Sequence, residues 1–313
     1  MLTPKARGGL SDRVFTALRA GELDPALTRV APDHVDDAQI TLWALYEQHY
    51  RGFDDVDAAL EWHPTLVAVR GDLEREFLAV LRGRFVAPET TEPFAESFFA
   101  YVESHEGPSL AVHVQRRADR EQVLDLLRVR SVYQLKEADP TTWAVPRLPP
   151  HPQVALMALQ FDEYGAGDPA RQHARLFARG MEACGLDPTY GAYVDDAPVE
   201  VLAQNNAMSL FGLHRRWRGA AVGHLAAFEA ASSIPSRQMA QGLRRLEMPE
   251  EIAAYYDEHV EADAVHEQLA VREICAPLVA MEPELTKDVF LGAFTCLDLE
   301  ARTARALLGS WAG

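Results

Sequence analysis

"EHVEADAVHE", residues 258–267, sets His259, Asp263 and His266 in a His-x3-Asp-x2-His spacing. On an α-helix each residue turns about 100°, so Asp263 falls roughly 40° round from His259 and His266 roughly 20° to the other side. The three side chains share an arc of about 60° over two turns. Glu261 falls nearly opposite and reads as solvated. Imidazole and carboxylate together suit iron, manganese or zinc, and carboxylate-rich sets lean toward iron or manganese. The same spacing also serves a histidine hydrogen-bonded to an aspartate for structural reasons. One helix face cannot close a coordination sphere, so the choice between these readings depends on what other helices contribute.

The segments around this helix are helical in character as well. "DDAQITLWALYEQHY" puts Leu42, Leu45 and Tyr46 at i, i+3, i+4, and Leu66, Val69, Leu73, Phe77 and Leu81 continue that period in the next segment. Val123, Leu126 and Leu127 repeat it. Strand-like alternation is brief, at "SLAVHV" (109–114). "PRLPPHP" (146–152) reads as a loop or extended linker. The helical segments after it are separated mostly by proline or glycine. No repeat of fixed period appears. The expected fold is an all-α bundle with a loosely packed N-terminal stretch.

Composition narrows the class. With 313 residues, 25% charged and 48% hydrophobic, the chain is an ordinary globular protein with ample material for a core. A net charge of -17 opposes binding to nucleic-acid backbones and to anionic membranes. It is compatible with cationic or amine-bearing ligands. Cys184, Cys275 and Cys296 are too few and too scattered for a disulfide framework or a zinc knuckle, which favours a reducing cytoplasm. The start, "MLTPKARGGLSDR", has no apolar core of a secretory signal, and no apolar run approaches a membrane span.

Other helices offer candidate ligands. Glu229 ends "GHLAAFE", a carboxylate on an apolar stretch, which needs a partner if buried and none if it reaches solvent near the "SSIPS" break. His224, about 140° away from it on a helix, faces elsewhere. Glu163 and His173 are ten residues apart in "QFDEYGAGDPARQHARLF". A straight helix would separate them by about 15 Å and about 80°. Gly165, Gly167 and Pro169 break such a helix and allow the two side chains to fold toward one site, although the segment taken alone reads rather as a surface loop that happens to contain a glutamate and a histidine. Glu137, beside Lys136 in "YQLKEADP", says nothing alone.

Taken in order, these pieces resemble the haem-oxygenase-like diiron oxidases and oxygenases. That family's pattern is a glutamate and a histidine on the first core helix, a glutamate on the second, and His-x3-Asp-x2-His on the third. Glu163, His173, Glu229, His259, Asp263 and His266 match it in kind, order and spacing. The N-oxygenating branch adds one upstream carboxylate, and Glu137 stands where that ligand would be. "SLFGLHRRWRGAAVGHLAAFE" is similar to proteins known only as iron-containing redox enzymes. The likeness covers about residues 120–285, and the first 110 residues carry no usable motif.

The resemblance implies a haem-oxygenase-like seven-helix bundle over 116–313, with additional N-terminal helices in 1–115 packed on it. It implies two Fe(II) ions, O2 as co-substrate, a peroxo-diferric intermediate, and N-oxygenation of an amine, amino acid or guanidine. An external reductant, either a small molecule or an electron-donor protein, must restore the iron, since no G-x-G-x-x-G opens a helix here. Within the family, oxidative C–C cleavage or desaturation is the alternative. Outside it stands a bundle that binds iron or a small molecule without turnover. Lys136, Tyr164, Asn205, Phe211 and Tyr256 are candidates for the pocket wall, and Asn205 or Asn206 for orienting a ligand histidine. A homodimer is the base-rate expectation.

Overall fold

The computed structural model describes residues 1–89 and 93–312, with residues 261–264 given by their backbone. Among the described residues the chain is helical with no strand. The helices are α1 (Gly9–Ala20), α2 (Val35–Glu47), α3 (Pro64–Arg84), α4 (Phe94–Glu103), α5 (Leu110–Arg116), α6 (Arg120–Gln134) and the single turn α7 (Asp139–Thr142). They continue with α8 (Pro150–Glu163), α9 (His173–Ala183), α10 (Val199–Leu213), α11 (Arg218–Arg245), α12 (Glu250–Gln268), α13 (Ala276–Met281) and α14 (Thr286–Trp311). None of them is long and apolar enough to cross a membrane.

Local chemistry sets many of the boundaries. Asp119 and Gln122 close a reciprocal capping box at the start of α6. Gly21, at φ 70°, ends α1 in the left-handed conformation while its N–H returns to Ala17 and Leu18 carbonyls. A π-helical stretch, Leu269–Cys275, joins α12 to α13. Pro277 follows it, and the wider turn relieves the clash that a proline ring makes with the carbonyl four residues back.

Three local expectations change. "SLAVHV" forms α5, whose first turn is capped by the Ser109 hydroxyl accepting from the Val112 N–H. Its alternation arises because Leu110, Ala111 and Val114 fall on one helical face. "PRLPPHP" is not an extended linker: Val145–Arg147 form a 3-10 turn and Pro150 opens α8. Proline in a first helical turn loses no hydrogen bond, because those N–H groups have no intrahelical acceptor. "SSIPS" does not end its helix either, for α11 runs through Pro235.

Helix α11 is the axis of the bundle, packed against α5, α12 and α14. Glycines permit its closest approach. A Cβ on Gly223 would lie 2.0 Å from the Val289 carbonyl oxygen, and one on Gly292 would lie 2.0 Å from that of Ala220. Helices α11 and α14 thus meet backbone to backbone at a reciprocal pair of glycines. Gly180 does the same for α9 against Ile252 of α12. The N-terminal stretch is not loose: Leu10, Val14, Phe15 and Leu18 are all buried in the same core as the bundle, and α2 packs on α10.

Candidate metal centre

Five elements deliver the predicted ligands to one buried place. Glu137 lies in the link between α6 and α7, Glu163 closes α8, His173 opens α9, Glu229 lies mid-α11, and His259 and His266 stand two turns apart on α12. All six are at least nine-tenths buried. The side chain of Asp263 lies outside the described residues. The resemblance set Glu163 and His173 on one helix, whereas here they occupy two. The turn between them holds Gly165 and Gly167 at φ 88°, and a Cβ on Gly165 would lie 2.3 Å from the Asp168 carbonyl oxygen. That turn brings His173 Nδ1 to 3.0 Å from Glu163 Oε2.

The donors form two groups. Glu137, His173 and His259 make one, and Glu163, Glu229 and His266 the other; within each, the donor atoms lie within 4.8 Å of one another. Glu163 reaches both, with Oε2 toward His173 and Oε1 3.4 Å from His266 Nδ1. His266 Nδ1 is also 3.6 Å from Glu229 Oε2, and His259 Nε2 is 3.7 Å from Glu137 Oε2.

The imidazoles are held with defined nitrogens inward. His259 Nδ1 is 2.8 Å from the Tyr255 carbonyl oxygen, so that nitrogen carries the proton and Nε2 presents its lone pair to the group. His266 Nε2 faces Asp162 at 3.4 Å, which leaves Nδ1 toward Glu163 and Glu229. The Tyr255 hydroxyl donates to Glu137 at 3.2 Å. Sequence reading missed Tyr255 and Asp162. Both were in reach of it, for Tyr255 is one helical turn before His259 and Asp162 adjoins Glu163.

Buried carboxylates and imidazoles act on one another here. Burial raises the Glu229 carboxyl above its ordinary value, and the charges of Glu163 and Glu137 add to that. Burial would raise Glu163 too, but His173, His259 and His266 outweigh it and hold it low. Burial pulls His266 down, yet Glu229, Glu163 and Asp162 push it up to about 9. His173 Nδ1, Glu229 Oε2 and His266 Nδ1 are buried without a well-formed hydrogen bond. Buried polar atoms of this kind are costly unless something outside the chain satisfies them. Mixed imidazole and carboxylate donors with no thiolate fit ferrous iron or manganese, so the residues present fit a pair of such ions.

The candidate wall residues divide. Lys136 pairs with Glu47 at 3.4 Å and lines one of the small spaces beside Glu137, Glu163 and His173. The Tyr164 hydroxyl donates to Asp139, and Phe211 is core. Asn205 donates to its own helix at Val201, and Asn206 donates to Gln39, so neither orients a ligand histidine. Tyr256 lines a cavity described below. Beside the centre lie two spaces of about 10 Å³, each with room for about one water-sized group.

Residues 124–301 match the family described as iron-containing redox enzyme. The chain belongs to that family. Every residue of the two donor groups falls inside the matched span of this iron-containing redox enzyme, and α1 to α5 fall before it. The architecture is a haem-oxygenase-like helical bundle with additional N-terminal helices. Among solved structures it is similar to a CADD-like protein of unknown function from Nostoc punctiforme, with a TM-score of 0.50 and 16% identity over 76% of this chain and 97% of that one. That likeness speaks to the fold. No curated protein matches the chain.

Proposed function

We propose that this iron-containing redox enzyme is an O2-dependent non-haem diiron oxygenase that adds oxygen to the nitrogen of an amine, amino acid or guanidine. One observation carries the reading: Glu163 directs one carboxylate oxygen to each of two buried donor groups. Such a residue suits a pair of metal ions better than a single one. The nitrogen preference is supported by Glu137, which stands with His173 and His259 rather than at the surface.

Glu137, His173 and His259 would hold one iron, and Glu229 and His266 the other, with Glu163 between them. When bound, a pair of ferrous ions supplies two electrons to O2. The chain's own residues do the rest. Tyr255 and Asp162 fix the orientation of a carboxylate and an imidazole, and burial keeps bulk water from the donors. The balance is one oxygen atom to nitrogen and one to water, with two protons consumed. A small reductant or a donor protein then returns the electrons.

Anaerobic Fe(II) titration followed by O2 exposure tests the reading. Expected are two irons per chain, a transient visible absorption whose decay is hastened by amines, and a hydroxylamine product. Slow formation of ferric mineral with no response to amines would indicate iron storage instead. A carbonyl or alkene product with nitrogen untouched would indicate C–C cleavage or desaturation.

A further inference from the structure

Tyr133 and Phe228 pack edge to face, their ring centroids 5.5 Å apart. On one side they line the narrow space against Glu137, Glu163, Glu229 and His259. On the other they line a cavity of about 340 Å³ walled by α5 and the segment before it, α6, α10, α11, α12 and α14. The two rings therefore stand between the cavity and the metal centre. The cavity's volume falls within the range of small-molecule sites.

Most of the wall is apolar, with Leu110, Leu126, Met208, Met239 and Leu297 among its residues. Its polar residues include an ion pair. Arg130 donates from Nη1 to Glu300 Oε2 at 2.9 Å and from Nη2 to Oε1, and Gln204 donates to Oε2 at 2.8 Å. A carboxylate offers about four acceptor positions. Three are taken, so Glu300 retains one. Glu300 also exposes 40% of its side chain against 20% for Arg130. Glu300 is thus the more exposed of the two, and a carboxylate with a free acceptor position takes a cationic donor. His224, on the same wall, is held neutral by burial, with its proton affinity lowered to about 4. It offers no competing positive charge at neutral pH.

We propose that this cavity is the substrate chamber of the centre and that it takes a linear diamine, with one ammonium on Glu300, an apolar chain along the wall, and the second nitrogen against the Tyr133 and Phe228 rings, at the end of the cavity nearest the metal centre. The assignment of the second nitrogen rests on the oxygenase reading above, whereas the ammonium at Glu300 does not.

The probe is 1,8-diaminooctane, titrated calorimetrically into metal-free and Fe(II)-loaded protein without oxygen. It is expected to bind with one molecule per chain, at least tenfold more tightly than octanedioate. Glu300→Gln should lose that preference. Because this variant leaves Arg130 buried without its partner, Ala231→Trp, at another residue of the cavity wall, provides a second check. It leaves the ion pair intact, fills the chamber and should abolish binding without altering iron stoichiometry. With iron and O2 the diamine should give a hydroxylamine, whereas n-octylamine, its one nitrogen held at Glu300, should bind without being oxygenated. Equal affinity for the dioate, or diamine binding that survives Ala231→Trp in folded protein, overturns the chamber. Oxygenation of n-octylamine at the diamine's rate overturns the second-nitrogen assignment. Iron content is measured on the same samples. Two irons with no diamine binding defeats this inference alone, and diamine binding with no iron defeats only the oxygenase reading.

Discussion

Glu163 occupies the last position of α8, and its two oxygens face different histidines. Glu163→Gln keeps the shape but removes the charge shared by the two donor groups. Iron content is expected to fall from two per chain to one or fewer, measured by elemental analysis after desalting. His224 gives a residue-scale prediction of another kind. Burial holds it near 4, below its ordinary 6.5. The unfolded chain therefore takes up a proton that the folded chain refuses. The stability is fully present above about pH 6.5 and is lost progressively as the pH drops toward 4, by about 2–3 kcal/mol. Urea unfolding at pH 7 and 4.5 checks this, and His224→Gln should flatten that part of the profile. At this scale the sequence was informative where spacing carried meaning, as in the histidines of α12. It was silent about Tyr133, because a tyrosine in a helix announces neither a cavity nor a neighbour from another helix.

The helices themselves were legible wherever an apolar stripe repeated over several turns, as in α2, α3 and α6. They were misread where two signals overlapped. Seven residues of α5 are too few to separate helical from alternating patterns. The prolines of 146–152 mark a helix start as readily as a loop, and only the chain beyond them decides which. Pro235 inside α11 reads as a break in the sequence, yet tertiary packing on both sides sustains the helix despite a local cost of about 3 kcal/mol. The contact between α11 and α14 yields a prediction. Gly223→Ala sets a methyl against backbone that cannot rotate away. A loss of about 1–3 kcal/mol is expected, read as a lower thermal midpoint. Gly71→Ala, inside α3 where nothing lies within 4 Å, is the control and should keep or raise the midpoint.

At the scale of the molecule, the first residues contribute more than a covering. Glu47, at the end of α2, is fully buried and accepts from the Tyr190 hydroxyl at 2.7 Å and from Lys136 at 3.4 Å. The Lys136 ammonium lies over the Tyr50 ring at 4.5 Å, and Arg51 holds the Leu135 carbonyl at 3.0 Å. Glu137 is the next residue along. The segment without a recognisable motif thus grips the strip of chain that carries a candidate ligand. Glu47→Ala strands a buried ammonium and should cost about 3–5 kcal/mol. Deleting residues 1–51 should lower iron content as well as stability, which elemental analysis and thermal melting together would show. None of this was visible beforehand, because a glutamate and a lysine 89 positions apart share no local pattern.

The glycine contact between α11 and α14 has one more consequence. Glu229 lies six residues beyond Gly223, and Glu300 eight beyond Gly292. Two helices pinned at a single point, with no side chain between them to compress, act as arms of fixed length. On the proposed function, the separation between Glu229 and Glu300 is then a ruler set by the backbone, and the chain length of an accepted compound would be chosen by a place that never touches it.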